Sequence, residues 1–204
     1  MDSVVLFKIS YGKEARPMLE QVRKSELDNI IKFLRMSGRL KRISRSGWVE
    51  VGVDCPESVA DHTFRTAVLS MIFSDLEDLD GLKMIRMALL HDLPEAIIGD
   101  LTPSEKTGEA LEREDAAMKH LLSLLPEGLR QRYLKLCLEY AERKTKEAKA
   151  VRQLEKVEMA LQAREYEAAQ PSLEGLERFI ESADEFVTSP EIRKLFRSIL
   201  DSDS

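Results

Sequence analysis

Apolar residues recur at helical spacing along most of this chain, with polar residues between them. The first such stretch covers residues 25–37, with Ser25 as a candidate N-cap and Ser37-Gly38 as its end. A second starts at Ser58, another candidate N-cap, with Asp61 at the capping-box position. Further amphipathic stretches cover 109–125, 129–142, 147–167, 176–183 and 190–200. The pattern predicts a helix-rich protein.

We expect the apolar positions of these helices to face a common core. In the helix after Ser58 they are Val59, Phe64, Ala67, Val68, Met71 and Ile72. In the next two amphipathic stretches they include Leu111, Met118, Leu121, Leu122, Leu125, Tyr133, Leu134, Leu136 and Leu138. In the long helix over 147–167 they are Ala148, Val151, Leu154, Val157, Leu161 and Ala163.

The segments between the helices carry turn-forming residues. Residues 40–56 are predicted as a loop, residues 75–81 as a short connection, and Thr102-Pro103-Ser104 as a break. Residues 1–24 are predicted as an N-terminal arm without an assigned role, and residues 25–200 as one domain. The start of the arm has no basic n-region and no small-residue cleavage site, so we expect no signal peptide.

Composition narrows the classes of function. The chain of 204 residues is 43% hydrophobic and 33% charged, with a formal net charge of −6. A mildly acidic domain gives no electrostatic reason to bind a nucleic-acid polymer, but a few local cations and a metal can still hold a phosphorylated small molecule. Cys55 and Cys137 form no paired motif, and no apolar run reaches membrane-spanning length. We therefore predict reduced thiols and a cytoplasmic protein that contacts no membrane.

The strongest chemical signal lies in residues 85–100, IRMALLHDLPEAIIGD. An apolar run leads directly into His91-Asp92, and burying both groups is costly unless each finds a partner. A divalent ion would satisfy them, since imidazole and carboxylate are normal ligands of zinc, manganese and iron. Glu95 follows at helical spacing, and His62 lies 29 residues before His91, a gap that suits two neighbouring helices. The alternative is a buried histidine that is hydrogen-bonded to the adjacent aspartate.

The predicted loop 40–56 combines cations with the chain's single tryptophan, Trp48. In one interpretation Lys41, Arg42 and Arg45 meet a phosphate or carboxylate, and the indole packs on a sugar or base. In the other, Trp48 fills a gap in the core beside solvated basic residues. The residues alone leave both open.

The ordered set His62, His91-Asp92 and a later carboxylate resembles the HD-domain metal-dependent phosphohydrolases. Three motifs carry the resemblance to the 5′-deoxyribonucleotidase subgroup, across about residues 30–167: PESVADHTFRTAV, ALLHDLPEAIIGDLTP and QLEKVEMALQAREYE. The resemblance implies an all-α fold, a single HD-domain helical bundle and a homodimer.

The resemblance also implies roles for individual residues. His62, His91 and Asp92 match metal ligands, and Glu95 and Asp100 match acids that position or deprotonate the attacking water and protonate the leaving oxygen. The residues expected at the substrate are Arg45 at the phosphate, Trp48 near the sugar and Thr102 in a nearby loop.

The fourth metal ligand in this family is an aspartate, whereas this sequence has Glu155. The extra methylene moves the carboxylate out by about 1.3–1.5 Å, so either the helix backs away, or Glu155 binds in a different mode, or the metal is held more weakly. Glu158, one turn later, is a fallback carboxylate.

The resemblance and the residues together predict hydrolysis of a (deoxy)nucleoside 5′-monophosphate to nucleoside and phosphate. One divalent ion is expected, from manganese, cobalt, zinc, magnesium or iron, with water and a phosphate oxygen in its open positions. The alternatives are an HD phosphohydrolase for a cyclic or polyphosphate nucleotide, and a metal-binding regulatory protein without turnover.

Overall fold

The computed structural model describes residues 23–201, which fold into helices. Ten α-helices occur between those residues. They are α1 (Lys24–Ser37), α2 (Ser46–Val51), α3 (Val59–Leu76), α4 (Gly81–Leu90), α5 (Glu95–Ile98), α6 (Gly108–Ser123), α7 (Glu127–Glu142), α8 (Lys146–Ala169), α9 (Glu177–Phe186) and α10 (Pro190–Asp201). Over 23–201, β pairing is limited to one isolated bridge between Ser44 and Ser58. The predicted all-α fold is confirmed, and nearly all of the predicted arm lies outside the described residues.

Helices α3, α4 and α8 form the centre of the bundle. Helix α3 packs against both α4 and α8, while α9 and α10 cover the other side of α8. Local capping fixes where these helices start: Ser58 accepts from the Asp61 amide at the start of α3, and Thr145 accepts from the Ala148 amide at the start of α8. The metal-ligand candidates lie on the facing sides of these three helices or at their ends.

Two predictions about local structure are wrong. The first helix is capped at Arg23, whose amide donates to Glu26, rather than at Ser25. The predicted loop 40–56 contains a 3-10 turn, Gly38–Arg42, and the short helix α2. Helix α2 ends at Gly52, whose φ of 83° is a left-handed conformation that favours glycine. Burial of Trp48 in the core stabilises this short helix.

The predicted apolar face of α3 is also wrong in part. Phe64, Met71 and Ile72 are 68%, 44% and 49% exposed. The buried side of α3 carries small polar residues instead, Thr63, Thr66, Ser70 and Ser74. Apolar residues occur all around this helix, so periodicity does not identify its buried side, and two helices that pack closely on it leave room only for small side chains. Leu111 and Leu138, predicted inward, are likewise 55% and 54% exposed.

The turn after α4 positions the site. Helix α4 ends at Leu90, and the chain starts a new helix only at Glu95, with Pro94 at its N-cap at a φ of −57°. Proline therefore lies at a helix start, where its missing N–H costs little. Gly99, at a φ of 84°, then turns the chain so that Asp100 meets the start of α2.

No helix within residues 23–201 is both long enough and apolar enough to cross a membrane.

Candidate metal centre and active site

Three of the predicted metal ligands converge between α3 and the end of α4. The Nε2 atoms of His62 and His91 lie 3.7 Å and 3.0 Å from Asp92 Oδ2. One donor atom from each residue lies within 4.8 Å of the other two. A single ion with bonds of about 2.0–2.2 Å spans such a group.

The second nitrogen of each imidazole is already bonded on the side away from Asp92. His91 Nδ1 donates to the Ala88 carbonyl at 2.6 Å, and His62 Nδ1 donates to Glu158. Each bond places a proton on Nδ1 and turns Nε2 toward Asp92, so Nε2 is the nitrogen that can bind a metal once it carries no proton. The donor set therefore fits a divalent ion with nitrogen and oxygen ligands.

Asp92 is ionised at this point in the fold. Burial raises the pKa of its carboxyl, but the charges of His91, Arg45 and His62 outweigh burial and hold that pKa well below its usual range. Arg45 Nη1 lies 3.4 Å from Asp92 Oδ2. The carboxylate is available as a ligand at any physiological pH.

Glu155 lies at the edge of this group. Its Oε2 atom is 3.8 Å from His91 Nε2, but it falls outside the set of three donors that lie mutually within 4.8 Å. The Tyr140 hydroxyl donates to the same oxygen, and Arg152 Nη1 is 3.5 Å from Oε1. The structure thus places all four predicted ligands in one region, with the glutamate turned toward α7.

Glu158, the fallback carboxylate, is hydrogen-bonded to His62 and lies outside the group of His62, His91 and Asp92. It is fully buried, accepts from His62 Nδ1, and accepts from Arg65 Nε at 2.8 Å. The Arg65 guanidinium supplies positive charge beside this carboxylate, so the nearby group Glu57, His62 and Glu158 does not need an ion to balance its charge. The sequence indicated Glu158 through its position one turn after Glu155, on the same face of α8.

Glu95 is a buried acid without a hydrogen-bond partner at one oxygen. It is 5% exposed, and its Oε2 atom has no partner among the described residues. Burial, together with the charges of Asp92 and Asp100, raises the pKa of Glu95 to about 10. An acid that stays protonated at neutral pH beside a metal site is suited to proton transfer.

Asp100 is held by the start of α2. Its Oδ2 accepts from the Ser46 amide at 2.6 Å, and its Oδ1 accepts from Arg45 Nη1 at 3.2 Å. The residue expected at the phosphate, Arg45, therefore bridges Asp92 and Asp100 at the wall of the site.

The other two predicted substrate residues, Trp48 and Thr102, are buried. Trp48 is 2% exposed and packs against Tyr166 and Phe179, with ring centroids 5.3 Å and 4.0 Å away. It reaches the site only through its Nε1, which donates to Glu57 at 2.9 Å. Thr102 is 5% exposed, and both its amide and its hydroxyl donate to Glu105 at 2.9 Å. Contact of either side chain with substrate stays a prediction.

Two residues near the site were not identified from the sequence. Tyr140 belongs to a helix with no metal ligand, and its contact with Glu155 depends on how α7 packs on α8. Lys156 follows Glu155, and no described carboxylate lies within ion-pair distance of its ammonium; burial and the charges of Arg45 and Arg152 lower the pKa of Lys156. Lys156 is part of the sequence motif, but the sequence did not show that its ammonium lies 6.0 Å from the centroid of the Phe186 ring and has no ion-pair partner among the described residues.

The sequence and the fold of this chain are similar to those of known proteins. The family model described as HD domain matches residues 37–193. The protein from Bos taurus named 5′-deoxynucleotidase HDDC2 is 42% identical over 169 residues, which cover 82% of this chain and 82% of that protein. The Saccharomyces cerevisiae 5′-deoxynucleotidase YGK1 is 30% identical over 192 residues, covering 91% of this chain and 88% of that protein. A solved structure of a conserved hypothetical protein from Pyrococcus furiosus has a TM-score of 0.69 at 32% identity, covering 83% of this chain and 98% of that one.

Proposed function

The chain belongs to the HD-domain family, and we propose that it is a metal-dependent 5′-deoxynucleotidase. It hydrolyses a deoxynucleoside 5′-monophosphate to the nucleoside and inorganic phosphate. The observation that carries this proposal is the convergence of His62, His91 and Asp92 within 4.8 Å, beside the protonated acid Glu95. Relatives that match more than four-fifths of this chain carry the name 5′-deoxynucleotidase.

The ligand set of the proposed ion is His62, His91, Asp92 and Glu155. Two imidazoles and two carboxylates suit one ion of manganese, cobalt, iron, zinc or magnesium. When bound, the ion supplies a water of lowered pKa and neutralises charge on the phosphate. The chain's own residues then have to orient the phosphate and move protons.

Proton transfer falls to Glu95 and Asp100. Glu95 holds a proton at neutral pH, so it can protonate the 5′-oxygen of the leaving nucleoside. Asp100 is fixed by the Ser46 amide and by Arg45, so its carboxylate can orient or deprotonate the attacking water. Two acids in different environments can thus serve the two ends of the same displacement.

Phosphate binding falls to cations on the wall of the site. Arg45 lies within ion-pair distance of two site acids, and its guanidinium presents further donors to a phosphate oxygen. Lys156 adds an ammonium without an ion-pair partner among the described residues. Trp48 contributes by anchoring α2, whose first amide, at Ser46, holds Asp100.

A homodimer is the second part of the proposal. Exposed apolar side chains follow one side of α3 and continue on α4; they are Phe64, Met71, Ile72, Leu76, Leu82 and Leu89. Phe64 and Leu89 also line a groove with Phe33 and Leu34 of α1. Contiguous apolar surface of this kind marks an interface, and we assign it to a second copy of the chain.

The oligomeric state tests that assignment. Light scattering after size exclusion should give twice the chain mass for the wild type and a monomer for Phe64→Glu. The control Leu111→Glu, at a leucine of α6 that is 55% exposed, should remain a dimer. A monomeric wild type would contradict the dimer without touching the proposed activity.

The free thiols fit a reducing compartment. Cys55 is exposed and Cys137 partly buried, and neither forms a disulfide. This supports the cytoplasm as the place of action.

Phosphate release tests the proposed activity. Chelator-treated protein is supplied with Mn²⁺, Co²⁺ or Mg²⁺ and offered deoxynucleoside and ribonucleoside 5′-monophosphates, a cyclic nucleotide and a nucleoside triphosphate. We expect metal-dependent release of phosphate from deoxynucleoside monophosphates, and none from His91→Ala. The control His120→Ala, which changes the exposed histidine of α6, should behave as wild type. Turnover of only the cyclic or triphosphate substrates, or of none, would overturn the proposal.

A further inference from the structure

The Glu155 side chain is held from two sides by residues that bind no ion themselves. The Tyr140 hydroxyl donates to Glu155 Oε2. Arg152 Nη1 donates to the Tyr140 oxygen at 3.2 Å and lies 3.5 Å from Glu155 Oε1. We call these three residues the Glu155 clasp.

The clasp is packed against the metal centre. The Tyr140 ring centroid lies 5.8 Å from that of His91, and the Arg152 guanidinium lies 5.2 Å from the centroid of the Tyr140 ring. The Tyr140 hydroxyl can donate and a carboxylate oxygen accepts, so Tyr140 is the donor of this hydrogen bond.

The Tyr140 hydroxyl contacts the Glu155 oxygen that lies toward His91. Oε2, the atom that receives the Tyr140 hydrogen bond, is also the atom 3.8 Å from His91 Nε2. Two ligands of one ion with bonds of about 2.0–2.2 Å lie at most about 4.4 Å apart. Tyr140 thus fixes the glutamate oxygen at a distance from His91 that two ligands of one ion allow, although Glu155 lies outside the group of three donors within 4.8 Å of one another. A carboxylate oxygen that accepts one hydrogen bond has a second lone pair for the ion.

The length of the side chain explains why a clasp is needed. Glutamate has one more rotatable bond than aspartate, so an unrestrained Glu155 would lose more freedom when it binds an ion. An aspartate at 155 would be shorter by about 1.3–1.5 Å and would not reach the Tyr140 hydroxyl. The clasp restrains the longer side chain before the ion arrives.

We propose that Tyr140 and Arg152 are positioning residues that hold Glu155 in reach of the metal ion and so raise the affinity of the site. The proposal rests on the metal site of the proposed function. It concerns affinity for the ion, so it is tested on binding as well as on activity.

A double-mutant cycle on metal affinity tests it. Chelator-treated wild type, Tyr140→Phe, Glu155→Asp and the double variant are titrated calorimetrically with Mn²⁺. Loss of a residue that orients a metal ligand costs about 10–100-fold in affinity, and we expect Tyr140→Phe to fall near the lower end. Glu155→Asp should bind Mn²⁺ at least as tightly as wild type. Adding Tyr140→Phe to Glu155→Asp should change the Kd by less than about twofold, because the shorter side chain at 155 no longer contacts residue 140 and the two positions act independently.

Tyr133→Phe is the matched control. Tyr133 is on the same helix, two turns before Tyr140, is also partly buried, and packs against the core where it lines the groove beside α1. It should leave the Kd for Mn²⁺ unchanged. Should Tyr140→Phe fail to fold, Arg152→Met replaces it in the cycle, with the same dependence on Glu155 expected.

The outcomes separate the clasp from the activity. An unchanged Kd in Tyr140→Phe, or an equal loss in the Glu155→Asp background, overturns the clasp, since a merely structural tyrosine would act alike in both backgrounds. A wild type that binds no Mn²⁺ also overturns it. Tight binding without phosphate release from any deoxynucleoside monophosphate, measured on the same samples, would defeat the proposed function and leave the clasp standing.

Discussion

Glu158→Gln should weaken metal binding although Glu158 is not a ligand. In the structure the buried Glu158 carboxylate accepts from His62 Nδ1 and from Arg65 Nε at 2.8 Å. Glutamine keeps one acceptor oxygen, so the imidazole stays oriented, but the negative charge that makes Nε2 a stronger ligand is lost.

The size of the effect follows from these contacts. Removing a partner of a metal-bound histidine costs about 10–100-fold in affinity, and the retained acceptor puts the expected loss at about 10-fold, or about 1.4 kcal/mol. The fold should lose only about 1 kcal/mol, because Arg65 keeps its contacts with Glu165 at 2.7 Å and 2.8 Å.

Calorimetric titration of the metal-free protein with Mn²⁺ measures the affinity, and urea unfolding measures the stability. The control is Glu165→Gln, since Glu165 also binds Arg65 but its side chain is 50% exposed. It should leave the Kd unchanged. A folded Glu158→Gln with wild-type affinity, or an equal loss in Glu165→Gln, would refute the idea that Glu158 acts through His62.

Further predictions concern Glu57 and Glu95, whose pKa values are raised, and Lys156. Burial and the nearby Glu158 charge raise the pKa of Glu57 from an ordinary 4.5 to about 7. Between those pH values the folded state holds a proton that the unfolded chain lacks. The free energy of unfolding of metal-free wild type should therefore fall by roughly 2–3 kcal/mol, relative to that of Glu57→Gln, as the pH rises from 4.5 to 7. Urea unfolding at pH 5 and pH 8 checks this. A difference in unfolding free energy between wild type and Glu57→Gln that is the same at both pH values would contradict it. Glu95→Gln, which removes the buried proton donor, should lower kcat by about 10²–10⁴-fold with a nearly unchanged KM. Lys156→Met should raise KM for a deoxynucleoside monophosphate by about tenfold at similar kcat, whereas the exposed Lys149→Met on the same helix should match wild type in steady-state kinetics.

Part of the candidate metal site could be recognised in the sequence because its chemistry is local. His91-Asp92 ends an apolar run, and the only solutions for two buried polar groups there are a metal or mutual hydrogen bonding. The spacing to His91 indicated His62, and the family resemblance added Glu155; the structure brings both to the same region.

The surroundings of the ligands were not predictable because they depend on packing between helices distant in sequence. Glu158 was identified as a fallback carboxylate, but its hydrogen bond to His62 was not, and Tyr140 of α7 lies in no motif. Trp48 beside basic residues fitted both interpretations, and the structure buries the indole. The buried side of α3 escaped prediction because close packing selects small residues such as Thr66 over apolar ones.

The central claim is that the ion held by His62, His91 and Asp92 drives hydrolysis of a nucleotide monoester. The most direct measurement is phosphate release from deoxynucleoside 5′-monophosphates as Co²⁺ is returned to the metal-free protein, with bound metal determined on the same samples. The account predicts that release is absent without metal, rises with bound Co²⁺, and is lost together with the bound ion in His91→Ala. Phosphate release that does not depend on bound metal, or metal-loaded protein that releases none, would contradict it.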